Sequence, residues 1–234
     1  MEVYVDDMLV KIRTADQHMA DLAEVFRVLD QYQMKLNPDK CAFGVSAGKF
    51  LGFLVSQRGI EANPDKIQAI IDMKPPAKTK DVQRLTGRVA ALNRFVSRAT
   101  DKCLPFFRVL RKAFEWTEEC EQAFSELKAY LASPPLLSCP VDGEELYLYL
   151  AVSDAAVSAA LVKEHEGQQR PVYYISKTLL PAETRYPKLE KLALALVIAS
   201  RRLRPYFQSH RIVVFTDQPL KKILQKPELS RRLV

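Results

Sequence analysis

Three short apolar runs of this sequence each end at aspartate. The first opens the chain and ends at Asp6 and Asp7, the second covers 146–152 and is followed by Asp154, and the third covers 211–216 and is followed by Asp217. Short runs rich in β-branched and aromatic residues are typical of β-strands. The sequence therefore predicts sheets that carry carboxylates at the ends of their strands.

Helical patterns lie between the predicted strands. Apolar residues recur at three- and four-residue spacing within 16–32, 79–97 and 188–203, and Asn63 and Thr117 are suited to cap two further helices. Gly-punctuated segments between 41 and 57 predict short strands with tight turns, and Pro219 is placed to open a last helix. This mixture predicts an α/β fold class, with a new domain beginning at residue 143.

The charge of the chain indicates a class of binding partner, and its cysteines bear on metal sites and disulfides. The chain has 35 Lys and Arg against 28 Asp and Glu, a net charge of +7, which favours a polyanion such as nucleic acid. The four cysteines are scattered without metal-ligand spacing, which argues against zinc and against a disulfide framework.

No apolar run is long enough to cross a bilayer, so we expect a soluble intracellular protein without a membrane partner. Because the chain opens inside a strand-like segment, we also expect further sequence upstream.

The acidic residues form two candidate metal sites. Asp6 and Asp7 are adjacent at a predicted hairpin tip, where paired carboxylates can bind the divalent cations that activate a 3′-hydroxyl. The alternative is a solvated turn. Asp154, Glu190 and Asp217 form the second set, which can converge at strand ends if cations offset their mutual repulsion. The alternative there is a solvated surface.

Four arginines lie along the predicted helix 79–97 and at its end. Arg84, Arg88, Arg94 and Arg98 cluster away from its apolar stripe, an arrangement that suits a duplex phosphate backbone. The alternative, a solvated helix face, has about equal weight from the residues alone.

Six segments form a recognisable series, namely Tyr4-Val-Asp-Asp7, Met34-Lys-Leu-Asn-Pro-Asp-Lys-Cys41, Phe50-Leu-Gly-Phe53, Gly59-Ile-Glu-Ala-Asn-Pro-Asp-Lys-Ile67, Val82-Gln-Arg-Leu-Thr-Gly87 and Phe114-Glu-Trp116. The first looks like the catalytic hairpin of reverse transcriptases, and the series resembles those of gypsy-class LTR retrotransposon Pol polyproteins. Further segments resemble the ribonuclease H domain of such elements, namely Val152-Ser-Asp154, Pro171-Val-Tyr-Tyr-Ile-Ser-Lys177, Arg185-Tyr-Pro-Lys-Leu-Glu-Lys-Leu192, Leu203-Arg-Pro-Tyr206 and Phe215-Thr-Asp-Gln218.

The resemblance implies three parts. These are the end of an α+β palm at 1–60, a thumb and connection at 61–142, and a C-terminally truncated ribonuclease H-like domain with a mixed sheet at 143–234. It implies that Asp6, Asp7, Asp154, Glu190 and Asp217 bind Mg²⁺ or Mn²⁺ in catalysis. It further implies contacts to nucleic acid from Tyr4, Phe50, Leu51, Gly52, Phe53, Arg84, Arg88, Arg94 and Arg98.

The implied partners are a template-primer duplex, an RNA–DNA hybrid and, for the intact polymerase, deoxynucleoside triphosphates. The implied location is the cytoplasm, in virus-like particles, with the nucleus as a further compartment. The sequence departs from the pattern in the turn after Asp154. The family's third polymerase aspartate and fourth ribonuclease H carboxylate are expected beyond the two ends of the chain.

Three hypotheses follow. The leading one is an enzyme fragment whose chemistry is two-metal phosphodiester synthesis and cleavage of RNA in hybrids, with cleavage lost in Asp154→Asn and no primer extension by this chain alone. The rival is a nucleic-acid-binding remnant with incomplete carboxylate sets. The third is a structural subunit in a homo- or heterodimeric polymerase.

Overall fold

The computed structural model describes residues 2–11, 15–111 and 113–221. The chain divides into two compact units, 1–58 and 59–234. Among the described helices, none is long and apolar enough to cross a membrane.

The N-terminal unit begins with the predicted hairpin. Strands β1 (Glu2–Tyr4) and β2 (Asp7–Leu9) pair antiparallel, and Tyr4 opposite Asp7 is the last pair before the turn. Val5 opens this two-residue turn with φ 52°, a left-handed conformation that is unfavourable for a β-branched residue. The turn therefore places Asp6 and Asp7 at the tip.

A second hairpin follows a helix in this unit. Helix α1 (Ala15–Gln31) agrees with the predicted helix 16–32, and strands β3 (Ala47–Phe50) and β4 (Phe53–Ser56) pair antiparallel. Leu51 and Gly52 connect them with φ 51° and 76°. Two consecutive positive φ angles are the mark of a type I′ turn, which matches the natural twist of paired strands. The predicted short strands with tight turns are confirmed.

The C-terminal unit begins with a short strand and a run of helices. Strand β5 (Gly59–Ala62) is followed by α2 (Pro64–Ile71), α3 (Thr79–Ala91), α4 (Ala99–Lys102), α5 (Leu104–Arg111) and α6 (Glu118–Ala132). Both predicted caps are present: the Asn63 side chain accepts from the Asp65 backbone N–H at 2.9 Å, and Thr117 accepts from Cys120 at 3.4 Å. Ile60 and Leu137 exchange backbone hydrogen bonds, which joins the start of the unit to the segment after α6.

The predicted helix 79–97 is too long. Helix α3 ends at Ala91, a 3₁₀ turn covers Asn93–Phe95, and Arg98 adopts φ 51°. The Tyr130 hydroxyl explains the break, because it donates to the Phe95 carbonyl at 3.0 Å and accepts from the Ser97 N–H at 3.2 Å. It thereby partners backbone groups that a continuous helix would have used internally.

A four-stranded mixed sheet completes this unit. Its strands are β6 (Leu146–Val152), β7 (Ala156–His165), β8 (Gln168–Thr178) and β9 (Ile212–Phe215), in the order β8-β7-β6-β9. The first three form an antiparallel meander, and β9 runs parallel to β6. Helices α7 (Lys188–Arg202) and α8 (Arg204–Ser209) make the crossover between β8 and β9.

The core of the sheet lies under α7. Leu146 and Leu148 of β6 are fully buried against Ala199 and Leu203. On the opposite face, Ser176 of β8 accepts a hydrogen bond from the Thr100 N–H of α4 at 3.0 Å. Helices therefore cover parts of both faces, as expected for the predicted α/β class. Leu220 and Lys221 are helical, as expected after Pro219, and the rest of that predicted helix lies outside the described residues.

Candidate functional sites

The first site is formed by the tips of the two N-terminal hairpins. The Asp7 carboxylate oxygen Oδ2 accepts a hydrogen bond from the Leu51 backbone N–H at 3.2 Å. This bond joins the acidic tip to the turn between β3 and β4, although the two residues are 44 positions apart. Asp6 makes no hydrogen bond or ion pair among the described residues. One carboxylate therefore positions a neighbouring turn while the other is open to solvent.

Apolar side chains surround these carboxylates without being buried. Tyr4 is 62% exposed, Val5 81% and Leu51 40%. Phe50 and Phe53, which face each other across the second hairpin, are half-buried. Exposed apolar groups beside two accessible carboxylates favour a ligand that has flat apolar parts and carries bound cations. The predicted residues of this site are therefore brought together.

The second site is the carboxyl end of the sheet in the C-terminal unit. Asp154 follows β6 in a turn that Ser153 holds, because the Ser153 hydroxyl accepts from the Ala156 N–H at 3.0 Å and donates to the Asp101 carboxylate at 2.7 Å. Asp101 belongs to α4. The backbone around Asp154 is thus fixed on one side by α4.

Two lysines of α7 reach the same end of the sheet. The Lys188 ammonium lies 3.8 Å from the Asp217 carboxylate, which follows β9. The Lys191 side chain is only 6% exposed, and its ammonium lies 3.5 Å from the Ser153 carbonyl oxygen and 3.4 Å from that of Asp154. The structure therefore places Asp154, Asp217 and the first turn of α7 at one edge of the sheet, with cationic side chains among them.

Glu190 occupies a different face of α7. Leu192 and Ala195 pack on the sheet residues Leu150 and Val152. At 100° per residue, Glu190 lies about 160° around the helix axis from Leu192. Within residues 2–11, 15–111 and 113–221, no three His, Cys, Asp or Glu side chains are close enough together to hold a metal ion. The metal-binding role predicted for Asp154, Glu190 and Asp217 stays a prediction, and the arrangement of these three side chains does not fit a shared cation.

The four predicted phosphate-binding arginines do not share one helix face. Arg84 pairs with Asp81 at 3.6 Å and Arg98 with Asp101 at 3.1 Å, and both guanidinium side chains are more than half exposed. Arg88 donates to the Ala69 carbonyl, and the Arg94 guanidinium lies 4.7 Å from the centroid of the Tyr173 ring. Arg88 and Arg94 are therefore engaged within the unit, whereas Arg84 and Arg98 remain accessible.

Sequence reasoning missed Lys188, Lys191 and Asp101. Lys191 precedes the buried Ala195 and Ala199 by four and eight positions, a spacing that places all three on one face of α7. That periodicity indicated a buried lysine, although Lys is rarely buried without a partner. Asp101 carried no such pattern, because its contact with Ser153 depends on the fold.

Family models match most of the chain. Residues 1–85 match the family described as reverse transcriptase (RNA-dependent DNA polymerase), and residues 116–214 match the RNase H-like domain found in reverse transcriptase. The first match contains Asp6, Asp7 and the Leu51 turn. The second contains Asp154 and Glu190 and ends before Asp217. Enzymes of these two families generally use divalent metal ions.

Curated relatives are polyproteins of mobile elements. The chain is 31% identical to the Pol polyprotein from transposon 412 of Drosophila melanogaster, over 99% of the chain and 19% of the relative. It is 29% identical to that of transposon opus of the same organism, over 99% and 24%. A Tf2-3 polyprotein of Schizosaccharomyces pombe is 27% identical, over 98% and 17%. The chain thus spans a quarter or less of these relatives.

Solved structures share the fold. A foamy viral protease-reverse transcriptase in complex with RNA/DNA hybrid matches 97% of this chain and 31% of its own, with a TM-score of 0.82 and 22% identity. A foamy viral protease-reverse transcriptase dRH in complex with double-stranded DNA gives the same TM-score and identity, and 40% of that chain is covered. The two family matches show that the chain joins a part of a reverse transcriptase to the RNase H-like domain found in reverse transcriptases, and its curated relatives are Pol polyproteins of LTR retrotransposons.

Proposed function

We propose that this chain holds the primer end of a template-primer duplex within an RNA-directed DNA polymerase. The observation that supports this most directly is the hydrogen bond between Asp7 and Leu51, which joins the acidic tip to the turn between β3 and β4. Around it, the exposed Tyr4 and Val5 offer apolar surface to a terminal sugar and base. Phe50, Gly52 and Phe53 complete the turn that would contact the primer.

Asp6 and Asp7 are the residues that would hold Mg²⁺ or Mn²⁺ in this site. Two adjacent carboxylates at an exposed tip fit part of an oxygen-ligand set for such cations. A bound cation there would lower the cost of charge on a 3′-oxygen and on a nucleoside triphosphate. The protein residues supply the carboxylate oxygens and the apolar walls, and the Leu51 N–H keeps one carboxylate oriented.

The C-terminal unit would contact duplex phosphates through Arg84 and Arg98. Both are exposed, and within the described residues each is paired with an aspartate three residues away in its own segment. Because both guanidinium groups are more than half exposed, water screens these pairs and phosphate can compete for the arginines. A phosphate-based interface accepts double-stranded DNA and RNA–DNA hybrids alike, and the solved foamy viral relatives are complexes of both kinds.

Binding to a fluorescent RNA–DNA hybrid with a recessed 3′ end tests this proposal. We expect the dissociation constant to rise steeply with salt, and Arg84→Gln and Arg98→Gln each to reduce the slope of its logarithm against log salt by about one unit. Arg201→Gln, an equal change of charge at an exposed position of α7, is the control. Binding that is insensitive to salt, or equally weakened by the control, would contradict the proposal.

A second function, cleavage of the RNA strand, is the remaining alternative for the C-terminal unit. The second family match supports it at the level of the domain. The contacts of Lys188 and Lys191 argue instead against a bound metal ion at the end of the sheet. The two functions are distinguished by whether RNA in the hybrid is cut in the presence of Mg²⁺, and whether Asp154→Asn abolishes the cut.

A further inference from the structure

The first turn of α7 places a buried ammonium group at the end of the sheet. Lys191 is 6% exposed, and its contacts are the carbonyl oxygens of Ser153 and Asp154, at 3.5 and 3.4 Å. These are the last carbonyls before the chain turns from β6 into β7. A buried ammonium is costly unless polar groups surround it, so these carbonyls are a fixed site for one positive charge.

The Lys191 ammonium lies beside the turn that carries one of the three candidate carboxylates. Asp154 lies in the turn whose carbonyls Lys191 contacts, and Asp217 is held by Lys188 at 3.8 Å. Lys188 thus pairs with one of the three candidate carboxylates, and Lys191 occupies the backbone carbonyls next to another. A divalent cation entering here would be repelled by the resident ammonium at short range and in a poorly solvated site, where charge interactions are strongest.

The third carboxylate does not reach this position either. Leu192 and Ala195 define the side of α7 that faces the sheet, and Glu190 lies about 160° around the axis from Leu192. Leu192 is 3% exposed and packs with Leu150 and Val152, directly before Ser153 and Asp154. An apolar side chain and an ammonium therefore fill the space between α7 and the end of β6.

We propose that Lys191 is a built-in cation that takes the place of a divalent metal ion at the end of this ribonuclease H-like sheet. The domain then keeps its fold by an internal charge and does not cleave RNA. This reverses the expectation from sequence of metal-dependent cleavage. It goes beyond the proposed primer-end function and does not depend on Asp6 or Asp7.

Paramagnetic broadening by Mn²⁺ in the full ¹⁵N-labelled chain tests this inference residue by residue. In the wild-type protein, amide signals of 153–156 and 188–192 should keep their intensity at Mn²⁺ concentrations that broaden ligated sites. In Lys191→Met, the carbonyls of Ser153 and Asp154 lose their cation, and we expect the signals of 153–156 to be lost selectively. Lys163→Met is the matched control, because Lys163 is also largely buried and contacts the Cys139 carbonyl oxygen at 3.0 Å, but lies near the other end of β7, so its removal should leave 153–156 unchanged.

Two results would overturn the inference. One is saturable broadening of 153–156 in the wild-type protein that Asp154→Asn removes, and the other is a folded Lys191→Met protein whose signals are as insensitive to Mn²⁺ as the wild type. If Lys191→Met does not fold, the wild-type titration decides alone. The amides of 5–8 report the primer-end proposal separately, so the failure of one proposal is distinguishable from the failure of the other.

Hydrolysis provides an independent readout. With an RNA–DNA hybrid and Mg²⁺ or Mn²⁺, we expect the wild-type chain to cut RNA no faster than Asp154→Asn. Cleavage well above that background would show that a metal ion binds productively despite Lys191.

Discussion

The Asp7 carboxylate and the Leu51 N–H are joined by a 3.2 Å hydrogen bond that links the tips of two hairpins. Leu51 is in the left-handed region, at φ 51°, so its amide direction is set by a turn that is unfavourable for a leucine. The carboxylate that accepts this bond therefore helps to hold the turn in place. This contact makes the acidic tip and the turn one structural group.

Removal of the Asp7 carboxylate should loosen that group. In Asp7→Ala we expect hydrogen exchange at the Leu51 amide to become several-fold faster, because its charged acceptor is lost. Asp6→Ala is the control, since Asp6 has no partner in the described part of the chain. Exchange measured by NMR that is equally fast in both variants would show that the contact has no structural role.

Gly59 should tolerate no side chain. A Cβ there would lie 2.2 Å from the Leu137 carbonyl oxygen, which accepts the Ile60 N–H at 2.8 Å, and its φ is 145°. We expect Gly59→Ala to lower the free energy of unfolding by roughly 2–3 kcal/mol, because the bridge must shift and the backbone is strained. Urea titration measures this.

Gly87 provides the opposite case in the same unit. It lies inside α3, and nothing is within 4 Å of an added Cβ. Gly87→Ala should raise the free energy of unfolding by about 0.5–1 kcal/mol through helix propensity. Equal effects of the two substitutions would contradict the described position of Gly59 against Leu137.

The Tyr130 hydroxyl should be important for the break after α3. It donates to the Phe95 carbonyl and accepts from the Ser97 N–H, so Tyr130→Phe removes one hydrogen bond from each of two partly buried backbone groups. We expect a loss of about 1–3 kcal/mol in the free energy of unfolding. Tyr174→Phe, at a half-buried tyrosine with no hydroxyl hydrogen bond among the described residues, should cost less.

Thiol reactivity should follow burial. Burial raises the pKa of the Cys103 thiol to about 12, so almost no reactive thiolate forms at about pH 8. Cys139 is exposed and Cys120 is buried. We expect iodoacetamide to label Cys139 within minutes and to leave Cys103 and Cys120 unmodified until denaturant is added, as read by mass spectrometry. Rapid labelling of Cys103 in the native protein would contradict its described burial.

The sequence predicted the hairpins, the caps and the helix α7 because these depend on local pattern. It missed strand β7, whose residues 156–160 are Ala, Val, Ser, Ala and Ala. Small residues have weak strand propensity, and here they are buried because α4 and α7 cover the two faces of the sheet. The extent of α3 was also missed, since the Tyr130 contacts that end it come from 35 residues away.

The same distinction between local pattern and distant contacts applies to the two candidate sites. Asp6 and Asp7 are adjacent in sequence, so the predicted hairpin was enough to place both carboxylates at one tip. The relation of Asp154, Glu190 and Asp217 depends on how α7 is rotated about its axis, which the strand pattern alone does not determine. The burial of Lys191 at the end of the sheet depends on the same rotation.

Photocrosslinking from the primer terminus tests the central claim most directly. A hybrid whose primer carries a photoreactive 3′-terminal nucleotide should crosslink, with Mg²⁺ present, to residues within 4–7 and 50–53 of this chain, as located by mass spectrometry. The same group placed internally in the duplex should not crosslink to those residues. Crosslinks from the 3′ terminus that avoid both hairpin tips would contradict the assignment of the primer end to them.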